Sequence, residues 1–336
     1  MGLMALDRLN AINKIENRVD SQSVSSSYSS YVPSATSYKD LIQTPSTSIN
    51  QPSSSGNWLT NNIFKPIGNA LANTGIQIGR TAEEGVNSIG SLLTGNFGEA
   101  AQRFGNTLGL GAGVAANFLT GDVWDDPLYA HSLKFNGPNA TVYGNGMLTD
   151  DDDLDRTLDR FQISGINNVN AVTNKKHYLG GGGDVVQALL TTLGVKDITA
   201  IRAETTIEAA KNAGVTNLDY YAHSQGVRTA YGGMTLADKA SLDIVNFKGM
   251  GGQMTIYENE FNLKSVMNYR IDDGGAKIDP IPLSQYLDPM NYTRKILYGS
   301  GNEVTNISSS TPNAFNASSL SPSRHDVLNY LPKVLP

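Results

Sequence analysis

The run Leu218-Asp219-Tyr220-Tyr221-Ala222-His223-Ser224-Gln225-Gly226-Val227 constrains this chain more than any other stretch. Its apolar and aromatic first half reads as a strand that stops abruptly at a small-x-Ser-x-Gly pattern, and a helix-like segment follows it. A strand that passes into a helix through a single serine forces that serine into a strained backbone conformation. The positions two residues to either side must then be small, and Ala222 and Gly226 occupy them. Such a turn lifts the hydroxyl above the sheet edge and aims a helix N-terminus at whatever sits there. The competing reading of the same letters is a strand followed by an ordinary helix that Ser224 caps.

The flanking chain decides what kind of sheet that strand enters. Ala140-Thr-Val-Tyr143 reads as a buried strand and Gly144-Asn145-Gly146-Met147 as the turn after it. Leu154, Leu158 and Phe161 then recur at helical spacing behind Thr149 and four aspartates, Asp150, Asp151, Asp152 and Asp153. Thr149 is placed to cap that helix, and acidic residues in its first turn complement the helix dipole. A calcium site is the sharper alternative for the four aspartates, but they lack the EF-hand spacing with its glycine and distal glutamate. Gly180 to Gly183 are followed by Asp184-Val185 rather than by Lys and Ser or Thr, so a phosphate cradle is not expected. Helices are expected over 185–193 and 204–213, the second closed by Gly214, with a short strand or a helix start at 198–201. Ser265 to Ile271 alternates like a strand. Strand and helix alternate throughout, so the expected fold is α/β: a three-layer core over residues 133–336 with a mostly parallel sheet.

Two further regions precede that core. Residues 1–56 are expected to be a Ser-rich flexible segment, short of aliphatic side chains from Ser21 to Ser55. Leu3, Leu6, Leu9, Ile12 and Ile15 would place a short amphipathic helix at its start. Residues 57–132 read as a Gly/Ala-rich helical region, with Leu71, Val86, Ile89, Leu92 and Leu93 among its helically spaced apolar positions. The small residues between Leu108 and Leu119 suit tight packing against the core, which is the expectation here, and also a lid or a bilayer-surface segment.

Charge narrows the partners. With 25 Lys+Arg against 31 Asp+Glu, the 336-residue chain has a formal net charge of −6, which argues against a nucleic-acid partner. It contains no cysteine, so disulfides and thiolate metal sites are excluded. No apolar run has the length of a membrane span. The N-terminus lacks the pattern of a secretory signal peptide, so the expected location is cytoplasmic, or external through a signal-independent secretion route.

A serine hydroxyl needs a base to act as a nucleophile at neutral pH. The chain has four histidines, His131, His177, His223 and His325. His223 adjoins the serine and points away from the reacting side of the hydroxyl, while His131 and His177 precede it. His325 alone satisfies the order serine, acid, histidine found in α/β-hydrolases. For the acid, Asp279 lies between Ile278 and Pro280-Ile281-Pro282, in a loop after the 265–271 strand, and Asp272 and Asp273 compete with it.

Ala222-His223-Ser224-Gln225-Gly226, Ile278-Asp279-Pro280-Ile281-Pro282 and the late His325 together resemble an α/β-hydrolase. The likeness is to lipases whose acid lies in an Asp-x-Val-Pro-like loop, and to domains with a His-Ser-Gln-Gly elbow in bacterial secreted effectors and toxins. It covers residues 133–332 and departs from the pattern at Ala222 and Ile281. The resemblance implies Ser224 as nucleophile, His325 as general base and Asp279 as its orienting acid. It also implies an oxyanion hole from the backbone N–H groups of Gln225 and Met147, and no cofactor. The expected activity is hydrolysis of an ester of an acyl lipid or phospholipid, with membrane-surface contact admitted and oligomeric state open. A thioesterase, amidase or acyltransferase on the same triad is one alternative, and a non-catalytic module of a larger assembly is another.

Overall fold

The computed structural model describes residues 65–120, 133–146, 149, 151–173, 187, 190–271, 289–298, 305–307 and 327–335. Six strands form one parallel sheet: β1 (Asn139–Gly144), β2 (Val169–Val172), β3 (Asn217–His223), β4 (Val245–Met250), β5 (Ser265–Ile271) and β6 (Thr305–Ile307). Their spatial order is β2-β1-β3-β4-β5-β6, every neighbouring pair is parallel, and Gly144 and Gly249 flank Ala222 in register. Parallel neighbours need long crossovers, and here these include helices, as the alternating sequence pattern anticipates.

β3 is covered on both faces, by an apolar set of side chains on one side and around Tyr221 on the other. Leu218, Tyr220 and Ala222 pack with Ala203 and Ile207 of α4 (Ile198–Asn212) and with Val227, Ala230 and Met234 of α5 (Gln225–Leu236). Tyr221 points the other way, into a cluster with Tyr143, Phe161 of α3 (Asp151–Ile163) and Tyr330 beside α7 (Leu331–Val334). The Phe161 ring stands edge-on to Tyr221 at 5.0 Å between centroids. Helix, sheet and helix thus form successive layers. Phe247, fully buried on β4, anchors the first cluster, and truncating such a ring in a packed core costs about 3–5 kcal/mol.

Of the two readings of 198–201, strand or helix start, the helix is the one found, because the Asp197 carboxylate accepts the backbone N–H of Ala200 at 3.1 Å and so caps α4. The Thr149 hydroxyl donates to the Gly146 carbonyl at 3.0 Å.

Before the sheet, α1 (Lys65–Leu93) and α2 (Phe97–Thr120) form an antiparallel hairpin against α4 and the end of α5. It docks through polar side chains and through one apolar cluster, in which Leu110 and Ile76 pack with Ile198, Ile201 and Leu236. Gln77 Nε2 donates to the carbonyls of Leu110 at 2.9 Å and Lys196 at 2.7 Å. Arg80 donates through Nε to Glu204 at 3.2 Å and through Nη2 to the Leu236 carbonyl at 2.7 Å. Glu84 pairs with Arg80 and Arg103, each at 3.2 Å, and accepts from Asn106 at 2.9 Å. Leu71, Val86, Ile89, Leu92 and Leu93, which the helical spacing marks as packing positions, are 53–82 % exposed instead. The reason is Glu204: a fully buried carboxylate on α4 must be paired, and pairing it turns the charged face of α1 inward. Among the described residues no helix is long and apolar enough to cross a membrane.

α6 (Pro289–Tyr298) lies between β5 and β6 in the chain, and Arg294 ties it to Glu260 at 2.7 Å.

Candidate active site

The strand order runs outward in opposite directions from the β1–β3 boundary, and ligands of open α/β sheets bind at the carboxyl ends of strands where the order reverses. Ser224 stands at that place, between the end of β3 and the start of α5. Its backbone has φ 57° and ψ −122°, a left-handed conformation outside the extended region that a helix-capping serine adopts. Its hydroxyl makes no capping hydrogen bond. Ser224 is therefore not an ordinary cap. The strain is held by its surroundings: its N–H donates to the Met250 carbonyl at 3.0 Å and its carbonyl accepts the Val227 N–H at 3.2 Å.

The loop after β1 closes onto this turn through two glycines. A Cβ on Gly226 would stand 2.5 Å from the Gly144 carbonyl oxygen and 2.7 Å from that of Asn145. A Cβ on Gly146 would stand 2.7 Å from Ser224 Cβ and 3.2 Å from its Oγ. Gly226 meets the backbone of the loop and Gly146 meets the Ser224 side chain, with no space for a Cβ on either residue. The turn Gly144-Asn145-Gly146, proposed from sequence as half of an oxyanion hole, therefore lies against the serine. Its fourth residue, Met147, lies outside the described residues.

Gln225 is the first residue of α5, so its backbone N–H has no acceptor within the helix. Its side chain is fully buried and donates to Gln187 Oε1 at 2.9 Å. Gln187 in turn donates to Asp197 Oδ2 at 2.8 Å, and the other Asp197 oxygen accepts from Thr199 at 2.6 Å while capping α4. A buried polar chain therefore fastens the residue after Ser224 to the start of α4. Sequence reading missed both links. Asp197 was visible as a cap signal ahead of Ile198, whereas nothing local distinguishes Gln187.

His223 ends β3 on the opposite face, with its ring 5.8 Å from that of Tyr330. Its Nδ1 comes within 3.2 Å of the position a Gly146 Cβ would take. The other residues proposed from sequence, His325, Asp279, Asp272 and Asp273, lie outside the described residues, as do His131, His177 and Asp150. Of the remaining acidic run, Asp153 pairs with Arg156 one turn along α3 and Asp152 is exposed. Among the described residues no three His, Cys, Asp or Glu side chains are grouped to hold a metal ion.

A cleft of about 430 Å³ opens at the other edge of the sheet, between Asn139, Asn167, Asn217, Asp219 and Asn246. It lies at the amino ends of β1, β3 and β4, a sheet's thickness of strand away from Ser224, so it is separate from the serine site. No protein-family model, no curated protein and no solved structure matches the chain.

Proposed function

We propose that this protein is a serine hydrolase that cleaves an ester of an acyl lipid or phospholipid, with Ser224 as nucleophile, His325 as general base and Asp279 as the orienting acid. The observation that carries the reading is Ser224 itself, at φ 57° on a strand-to-helix turn with Gly146 pressed against it. Non-glycine residues hold such a conformation at a cost of about 1–3 kcal/mol, and the strain concentrates at functional sites. The order of elements supports the same roles: the three candidate aspartates follow Ile271, the last residue of β5, and His325 follows β6.

In this reading His325 removes the Ser224 proton as Oγ attacks the ester carbonyl carbon, and the carboxylate of Asp279 stabilises the imidazolium. The negative charge that develops on the carbonyl oxygen is met by the Gln225 N–H and by a donor from the loop after β1. One such donor contributes about 3 kcal/mol to the transition state. His325 then gives the proton to the departing alcohol, and water enters by the reverse route to release the acid. The acyl-lipid preference rests on the small-residue and apolar helices upstream of the sheet and on the likeness to lipases.

Labelling with a fluorophosphonate probe, with and without phospholipid vesicles, tests the mechanism. Wild-type protein should label, while Ser224→Ala and His325→Ala should not. Wild-type protein that stays unlabelled in both conditions, or a Ser224→Ala variant that still labels, rejects the reading. Release of fatty acid from vesicles then separates a lipase from thioesterase or amidase chemistry.

A further inference from the structure

The helical hairpin is built inside out. Over residues 66–120 the chain carries five charged residues, Arg80, Glu83, Glu84, Glu99 and Arg103. All five are used in ion pairs within the hairpin, and Arg80 also reaches Glu204. The polar faces of both helices thus point at each other and at the core. Of the fourteen exposed large apolar side chains among the described residues, nine lie on the hairpin, Leu93 at 82 %, Phe97 at 70 % and Phe104 at 58 % among them. Both helices turn their polar sides, together with Ile76 and Leu110, toward α4 and α5, so the apolar sides opposite share one outer surface.

The spacing on that surface shows what covers it. On α1, Leu71, Gly75, Ile78, Ala82, Val86 and Ile89 are all exposed and follow one another at three- and four-residue intervals. On α2, Phe97, Ala101, Phe104, Leu108, Gly111 and Ala115 do the same. Alternating three- and four-residue steps are the seam of helices that pack knobs into holes, and large residues alternate here with Gly and Ala. A helix that lies in a bilayer surface has instead a wide apolar arc bordered by Lys and Arg, whereas the described basic side chains of the hairpin, Arg80 and Arg103, are held in ion pairs. Nine side chains of this size, each half exposed or more, present on the order of 800 Å², the area each partner contributes to a standard interface. That exceeds the roughly 300–600 Å² of the largest apolar patch on a typical monomer.

We infer that the outer face of α1–α2 is a dimer interface, where the hairpin of a second copy of this chain docks to make a four-helix bundle. Two antiparallel seams without charges are self-complementary about a two-fold axis, which is the usual symmetry of homodimers. This inference is independent of the chemistry at Ser224.

Sedimentation equilibrium of the full chain tests it. Wild-type protein should have twice the 35.9 kDa mass of one chain. Ile78→Glu with Phe104→Glu should have the mass of one chain, with unchanged far-ultraviolet circular dichroism. The milder pair Ile78→Ser and Phe104→Ser should raise the dissociation constant about tenfold or more, because buried anchors dominate such interfaces. A wild-type monomer at every concentration, or dimers that survive the Glu substitutions, would overturn the proposal. So would cosedimentation of wild-type monomer with phosphatidylcholine vesicles that the Glu pair abolishes, which would make the face a lipid-binding surface.

Discussion

At Ser224 a single backbone conformation separates two readings of one pentapeptide. The small residues around the serine were legible because the geometry tolerates nothing larger at Gly226, and the hydroxyl was placed at the sheet edge by the same logic. Strain at φ 57° should be measurable by itself. Ser224→Gly and Ser224→Ala both remove the hydroxyl, yet glycine accepts a left-handed conformation without a Cβ clash. The Gly variant should therefore be more stable than the Ala variant by about 1 kcal/mol in chemical denaturation, and a more stable Ala variant would show that the turn is unstrained. Gly226→Ala places a methyl 2.5 Å from the Gly144 oxygen, closer than van der Waals contact allows. It should cost about 1–3 kcal/mol and displace the loop after β1, with a corresponding fall in probe labelling. Gln187 was illegible, since its role depends on Gln225 and Asp197, which approach it only after α4 and α5 have packed.

Among the elements, α1 shows how far periodicity can take a sequence reading. The spacing of Leu71, Val86 and Ile89 identifies a helix and its two faces, but not which face turns inward. Glu204 decides that, and it lies 124 residues along the chain from its partner Arg80. Removing Glu204 takes away the buried carboxylate that ties Arg80 to α4 and leaves it only Glu83 and Glu84 of its own helix. Glu204→Ala should destabilise the protein by about 3–5 kcal/mol, and Arg80→Met combined with Glu204→Leu should recover most of that loss. A urea series on wild type and these two variants checks it; equal losses in the single and double substitutions would mean that packing, rather than charge, holds the hairpin.

For the molecule as a whole, stability should follow pH in a way that joins the hairpin to the core. Burial at the junction of α2 and α4 pushes the Lys196 ammonium down to about 8, against the pull of Glu84. Folded protein then holds fewer protons than unfolded protein between about pH 8 and the ordinary lysine value near 10.5. Stability should rise with pH across that window, by up to about 3 kcal/mol. Burial raises Tyr220, Tyr221 and Tyr231 above their ordinary value, so above about pH 10 the unfolded state loses protons first and these three oppose the rise. Denaturation midpoints should climb from pH 7 to pH 9 in wild-type protein and stay level in Lys196→Met. A wild-type profile that is flat over that range would mean that the ammonium is hydrated.

The sequence by itself determined what depends on neighbours a few residues apart: a buried strand run, helix periods, and a turn that admits only small residues around Ser224. Those features sufficed for a parallel α/β fold and for the place of the serine, because alternating strands and helices leave few other ways to bury both faces of β3. Only the tertiary structure decided which pieces meet. The order β2-β1-β3 sets the Gly144–Gly146 turn beside Ser224, although the two are far apart in the chain. Buried polar groups then selected the remaining orientations, fastening Gln225 to α4 and turning the charged side of the hairpin inward. A buried hydrogen bond or ion pair is satisfied by proximity in space, and no local preference along the chain encodes that proximity.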